Sequence, residues 1–381
     1  MNKKLKTIIT KAKTRLGVFM VLVSFAASLV ITTNPANAGN SAIDPVEPVA
    51  CSDLGVLQWL SYNVVGGGVG TTLEYGEAKK LTIFGASAGD YESFDPVWTL
   101  QYGGHQISEI NAVAINPIDD IVYGVARMIN GDSWLVRFDM EGDIHFLVPH
   151  SGSISGAFDS QGGFIARRPS ALSKITETHA LDGYATPASY VAHEGNQDTQ
   201  DVEIDIGGFE MDGNDLVVVE IDGVEAAVWY DGDGHQRVVV VEGVNTATRT
   251  VQSYDVTGQV GGGGAGAMYT FVDGEVYFSL NSGNGFYQFV YDTSTPYVTP
   301  ILASTEITGY NDGMNCTTEP SPLPCAFDNS LLATDPNCAA PLEEESETPP
   351  ATTTTQPPVT TTTQPPEEPA FTGGDTPSYT G

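Results

Sequence analysis

Ile110–Val148, INAVAINPIDDIVYGVARMINGDSWLVRFDMEGDIHFLV, is the stretch whose reading decides the fold. Its first apolar run, Ala112–Ile115, stops at Asn116-Pro117, because proline has no amide to give a strand ladder and the pair opens a turn. Ile121–Val125 follows the acidic pair Asp119-Asp120. Trp134–Phe138 then alternates apolar and polar residues, Asp139–Asp143 turns around Gly142, and Ile144–Val148 returns. Alternation at a period of two, punctuated by Asp/Gly turns, predicts an antiparallel meander, one blade of sheet.

The same order is read in Gly208–Val241 and in Ala265–Leu302: a short opening strand, an Asp/Gly turn, a β-rich strand, a looser turn, then an aromatic strand. Leu216–Glu220, Val276–Leu280 and Ile121–Val125 are expected to fill one slot, and Ala227–Tyr230, Phe286–Tyr291 and Trp134–Asp139 the next. A weaker copy runs from Ser155 to Ala166. Self-similarity at about 40 residues with four strands per unit predicts an all-β chain folded as a β-propeller of about six four-stranded blades. A plain sandwich or a solenoid is the alternative.

The ends have a different chemistry. Met1–Arg15 holds six of the fifteen Lys and Arg residues and no acid, Gly17–Ile31 is uncharged and apolar, and Ala36-Asn37-Ala38 fits a signal peptidase site. Residues 1–38 are therefore expected to be a signal peptide cleaved between Ala38 and Gly39, followed by a linker over 39–50; an uncleaved anchor is the alternative. Cleavage takes the formal charge from −33 to −39, since the lost segment contains no Asp or Glu. Such a surface repels phosphate backbones and anionic membranes, which excludes nucleic acid as a partner and membrane binding by the domain.

Four cysteines in an exported chain predict disulfides. Cys51 precedes the first strand signal, Val56–Tyr62, and Cys316 follows the last repeat. A propeller must bring its two ends together, so Cys51–Cys316 is expected as a clasp around the domain at 51–316, with Cys325–Cys338 as a local loop in an extension at 317–341. Residues 342–381 have no apolar face to bury: two Thr-Thr-Thr-Thr-Gln-Pro-Pro blocks predict a disordered, proline-stiffened stalk.

Thr/Pro stalks of this kind resemble the wall-spanning spacers of Gram-positive, particularly actinobacterial, surface proteins. Ala370–Gly374 resembles a degenerate sortase signal, with Thr372-Gly373 as the candidate sorting residues. The full pattern, Leu-Pro-any-Thr-Gly, continues into an apolar span and a basic tail. This sequence stops short of both, so wall attachment calls for a gene extending past Gly381.

Ile110-Asn111-Ala112, Asn116-Pro117-Ile118-Asp119, Tyr123-Gly124 and Leu135–Asp139 resemble a family of secreted bacterial propeller-like domains of uncharacterised function. Cys51 and Asn311-Asp312-Gly313-Met314-Asn315-Cys316 are similar to that family's terminal cysteine motifs. The resemblance implies the fold and no activity.

Several stretches invite a site. Tyr230–His235 places Asp231 and Asp233 at the alternate positions calcium loops use, but it lacks a third Asp and the distal bidentate Glu, so a hairpin turn competes with a calcium site. The acidic turns at Asp119-Asp120, Asp212–Asp215, Asp222-Gly223 and Asp273-Gly274 could line one face of a ring. Gly66–Gly70 and Gly261–Gly264 lack the Lys-Ser/Thr of a phosphate loop and read as connections. His105, before the first clear blade, could reach a central funnel. Arg167-Arg168 is the paired arginine of an acidic molecule, suited to a local salt bridge or an anionic glycan. No catalytic constellation stands out.

The expectation is a secreted or cell-surface binding or adhesion protein, without catalysis and with no cofactor beyond a candidate calcium. Its partner would be an extracellular glycan or a surface protein. The alternatives are a propeller polysaccharide lyase or hydrolase, and a structural surface or spacer protein.

Overall fold

The computed structural model describes residues 43–51, 55–65, 72–168, 170–192, 201–209, 215–232, 234–291, 295–321 and 323. The leader with Ala38 and Gly39, residue Asp233, Cys325 and Cys338, and the stalk with Thr372 and Gly373 lie outside them. The ring described next belongs to a compact unit that begins at Val46.

Five antiparallel sheets form. The first holds β1 (Leu57–Val65), β2 (Thr72–Leu81), and the short β3 (Tyr91–Ser93) and β4 (Thr99–Gln101), which both pair with β2. The second is β5 (Ile107–Ile115), β6 (Val122–Met128), β7 (Ser133–Phe138) and β8 (Ile144–His150). The third is β9 (Gly156–Phe158), β10 (Phe164–Arg168), β11 (Ala171–Ile175) and β12 (Asp201–Asp205). The fourth is β13 (Leu216–Ile221), β14 (Val224–Asp231), β15 (Arg237–Glu242) and β16 (Thr250–Asp255). The fifth is β17 (Ala265–Thr270), β18 (Val276–Leu280), β19 (Phe286–Val290) and β20 (Tyr297–Leu302).

A last strand, β21 (Asn311–Gly313), returns to β1, setting Leu60 opposite Asn311 and Gln58 opposite Gly313. The first sheet is thus assembled from both ends of the domain. On its inner side β5 packs on β9, β9 on β13, β13 on β17, β17 on β21, and β21 on β5. Five inner strands close a circle, and the architecture is a five-bladed propeller.

The expected count of about six is corrected to five, and the extra length has a place. Between β11 and β12 the chain makes a 3-10 turn at Thr178–Ala180, a bridge from Tyr184 to Phe146 and a short helix at Pro187–Ala192. The Gly208–Val241 copy was also read one strand out of phase. Leu216–Ile221 is the innermost strand of its blade, whereas Val276–Leu280 and Val122–Met128 are second strands. The Asp/Gly turn equivalent to Asp119-Asp120 is Asp222-Gly223, and residues 210–214 lie outside the described residues.

Each blade is covered on both sides by its neighbours, so its inner strands bury nearly every side chain; β17 and β18 are buried throughout. This is why the chain writes continuous runs such as Leu216–Val219 there. Aromatic pairs bridge consecutive blades: Trp59 meets Phe138 with centroids 5.1 Å apart, Tyr123 meets Phe158 edge-on at 5.1 Å, and Tyr230 stacks on Phe278 at 4.8 Å. Offset stacked and edge-on geometries suit the ring quadrupole and add to the area each ring buries.

The aspartates that close strands have a local task. Asp139 Oδ1 accepts the amides of Glu141, Gly142 and Asp143 at 3.0–3.1 Å, and Asp159 Oδ1 accepts those of Gln161 and Gly163 at 2.9 and 2.8 Å. A short carboxylate folding back on the next amides fixes the turn. Cys51 and Cys316 form the expected disulfide, with Cα atoms 5.7 Å apart, and Met314 N donates to Leu57 O beside it.

Candidate functional site

Turns alternate between the two faces of the ring, because each blade is an up-and-down meander. Asp119-Asp120, Asp222-Gly223 and Asp273-Gly274 each join a first strand to a second and so share one face. Asp215 and Asp231 belong to the opposite face. Two acids of the shared face are engaged: Asp119 Oδ1 accepts Ile121 N at 3.1 Å and Oδ2 accepts the Tyr123 hydroxyl at 2.7 Å, while Asp273 Oδ2 accepts Ser321 N, far along the chain, at 3.3 Å. Among the described residues no three His, Cys, Asp or Glu side chains gather as metal ligands.

Asp231 ends β14 in a hairpin, opposite Arg237. Its Oδ2 accepts Arg237 Nε at 2.8 Å, lies 2.7 Å from the second guanidinium nitrogen and 3.3 Å from His235 Nδ1. The guanidinium itself lies 4.7 Å from the centre of the Phe209 ring. His105 sits half-buried in a 3-10 turn just before β5. Gly261–Gly264 lies in the link between β16 and β17, as a connection between blades.

Two features stand on the ring axis. The first is a mainly apolar constriction where Ala114 and Ile115, Phe158, Val217, Met268 and Met314 converge, with Thr270, Asn315 and Thr317 also on its wall, leaving a space of about 20 Å³. A water needs roughly 10–15 Å³ of such space, so nothing much larger fits.

The second is a pair of buried acids, Asp215 from a segment read as an acidic turn and Asp312 from the Asn311–Cys316 motif, which nothing local in the sequence brings together. Asp215 Oδ1 accepts Leu216 N at 2.8 Å, and Oδ2 accepts Met268 N and Gly313 N at 2.9 Å each. One carboxylate therefore ties β13, β17 and β21. Asp312, fully buried, faces the backbone amides of Ala112 and Val113, where β5 bulges and Ala112 takes φ 55°. Burial pushes the Asp215 carboxyl up to about 7. Burial and then the charge of Asp215 push Asp312 well above the ordinary range.

Both folded-state values exceed those of an unfolded aspartate, so the native state holds protons the unfolded chain has released. The pair's stabilising contribution is full below about pH 4 and falls as pH rises, through about 7 for Asp215 and higher for Asp312. Asp312→Asn, which mimics the protonated acid, is expected to raise stability at pH 8 by on the order of 1 kcal/mol or more. It should also flatten the decline between pH 5 and 8. Urea unfolding of both proteins at each pH measures this, and an Asn variant that declines as steeply as wild type rejects it.

Off the axis, on the face that carries the β6–β7 turn and the β8–β9 connection, a cleft of about 400 Å³ opens between the second and third blades. Arg127 reaches it from β6, Ser133 from β7, Ser153 and Ile154 from the connection, and Arg167 and Arg168 from the end of β10. Arg127 is the one exposed position of β6, its side chain 63% exposed and 3.5 Å from Glu109. Arg168 stands 3.8 Å from Glu203. Arg167-Arg168 stands out in the sequence as a paired arginine; Arg127 does not, its one signal being an arginine inside an otherwise apolar strand.

The sequence profile of a family described as a repeat of unknown function (DUF6923) matches residues 91–318 of the 381. No curated protein matches the chain. Among solved structures, the chain is similar to a putative 6-phosphogluconolactonase from Bacteroides fragilis: identity is 13%, coverage is 70% of this chain and 71% of that one, and the TM-score is 0.36. Virginiamycin B lyase from Staphylococcus aureus is similar at 11% identity over 64% and 89%, TM-score 0.30. The WD40 domain of Toxoplasma gondii coronin is similar at 11% over 70% and 72%, TM-score 0.29. At such distances none of their chemistry transfers to this chain.

Proposed function

This chain belongs to the DUF6923 family, a repeat of unknown function, and we propose that it is an exported, surface-held protein whose propeller recognises an extracellular glycan or protein without transforming it. The observation that carries this reading is the constriction on the axis. Propeller catalysis would draw on polar groups open to the channel; here its narrowest part is lined mainly by Ile115, Phe158, Val217, Met268 and Met314, beside Thr270, Asn315 and Thr317, and the two axial acids, Asp215 and Asp312, are buried. Recognition then falls to the rim, where pockets of about 300–1,000 Å³ suit small ligands or the ends of polymers.

Export is supported by the leader composition and by the Cys51–Cys316 bond, since such bonds persist in oxidising compartments. The acidic turns and Asp231 serve as turn chemistry in this reading, and calcium at Asp231 and Asp233 is not required by it. The test uses the purified full chain with neutral and anionic cell-surface polysaccharides, scoring retention and released fragments together. Retention with no new chain ends is expected. Accumulation of new reducing or unsaturated ends would replace this reading with the lyase or hydrolase.

A further inference from the structure

The chain sets fifteen Lys and Arg against forty-eight Asp and Glu, and six of the fifteen lie in Met1–Arg15. Of the nine that remain, three meet in one cleft: Arg127 from the second blade, Arg167 and Arg168 from the third. Glu109 is the carboxylate among the lining residues, so the cleft is a positive spot on a strongly negative molecule. Two of the ion pairs there, Arg127 with Glu109 at 3.5 Å and Arg168 with Glu203 at 3.8 Å, are long, and each has one largely exposed partner. Pairs of that kind contribute little and yield readily to a better-placed anion.

Guanidinium groups present planar forks that match carboxylate and phosphate oxygens, and several together fix an anion's orientation as well as its charge. The hydroxyls of Ser133, Ser151 and Ser153 can each donate and accept, which suits sugar hydroxyls around such an anion. We propose that this cleft binds the anionic group of a saccharide, a uronate carboxylate or a phosphate ester, as the recognition point of the binding function above, on which the proposal rests.

The charge layout gives the site an unusual salt response. A formal charge of −33 repels an approaching anion over long range, and salt screens that repulsion over about 10 Å at 0.1 M. Contacts inside a partly enclosed cleft are screened less. Affinity should therefore rise from low to moderate salt before it falls.

The experiment is calorimetric titration of the full chain with an oligogalacturonate, with glycerol 3-phosphate and with a neutral galactan oligomer. One or both anions should bind and the neutral oligomer should not; comparing the two anions separates a uronate from a phosphate source. Arg127→Gln and Arg168→Gln should each weaken binding by about tenfold or more, while Arg249→Gln, outside the cleft, should leave it unchanged. Arg127 is exposed enough that its replacement should leave the fold intact, which a melting curve checks. No anion binding, equal binding of the neutral oligomer, or anion binding that ignores both cleft substitutions overturns the proposal. If the variants still retain a neutral polymer or a protein, the cleft assignment fails and the binding function stands.

Discussion

Removing the Cys51–Cys316 disulfide is expected to cost up to about 5 kcal/mol, the chain-entropy value for so long a loop. The bond links residues 265 apart and therefore restricts the unfolded chain strongly. Its native setting makes the loss visible, because the β21–β1 ladder is short, with register pairs at Gln58, Trp59 and Leu60. The N-terminal side of the clasp is held by Val49 N donating to Asp120 O at 2.7 Å, and the C-terminal side by Met314 N donating to Leu57 O at 3.1 Å. Urea unfolding of the Cys51→Ser/Cys316→Ser double variant should match that of reduced wild type, and reductant should not destabilise the variant further. A loss under about 1 kcal/mol would mean that strand pairing closes the ring unaided and that the entropic account fails here.

What could be read beforehand followed from local chemistry. Ile110–Val148 announced β5 to β8 because its turns carry Asn116-Pro117 and Asp139–Asp143 around Gly142 where the backbone needs them, and the clasp followed from asking where a ring must close. The blade count did not follow, because closure is made by residues without strand character. Asn311-Asp312-Gly313 has no alternation and no β-branched residue, and it is a strand only because β1 and β17 stand on either side of it. Gly156–Phe158 is equally short, and its place on the inner circle comes from its neighbours. The phase error at Leu216 has a sequence root: an Asp-Gly pair stands before Leu216 as well as after Ile221, and composition does not say which of them is the hairpin. The arginine cleft was half legible. Arg167-Arg168 stood out by charge, but Arg127 lies forty residues earlier and joins them only when two blades meet face to face.

Gly313→Ala is expected to open the ring at its closing strand, with a loss of more than about 3 kcal/mol. A Cβ at this position would lie 1.8 Å from the Met268 carbonyl oxygen, 2.8 Å from its carbonyl carbon and 3.0 Å from its nitrogen. All three are backbone atoms, so no rotamer change relieves the overlap and β21 must move away from β17. That movement also withdraws Gly313 N from Asp215 Oδ2, now 2.9 Å away, and a buried carboxyl loses a donor it cannot replace with water. Gly104→Ala, where an added Cβ meets nothing within 4 Å, is the near-neutral control. Since the clasp and the strand close the same seam, the two losses should couple. In the reduced protein Gly313→Ala should cost less than it does in the oxidised one, because the seam is already loosened. Equal costs in both states would mean that the two fastenings act independently. A cost within about 1 kcal/mol of the Gly104 control, below what overpacking a tight contact carries, would mean that β17 and β21 do not meet this closely, and the closed circle of five inner strands would fail with it.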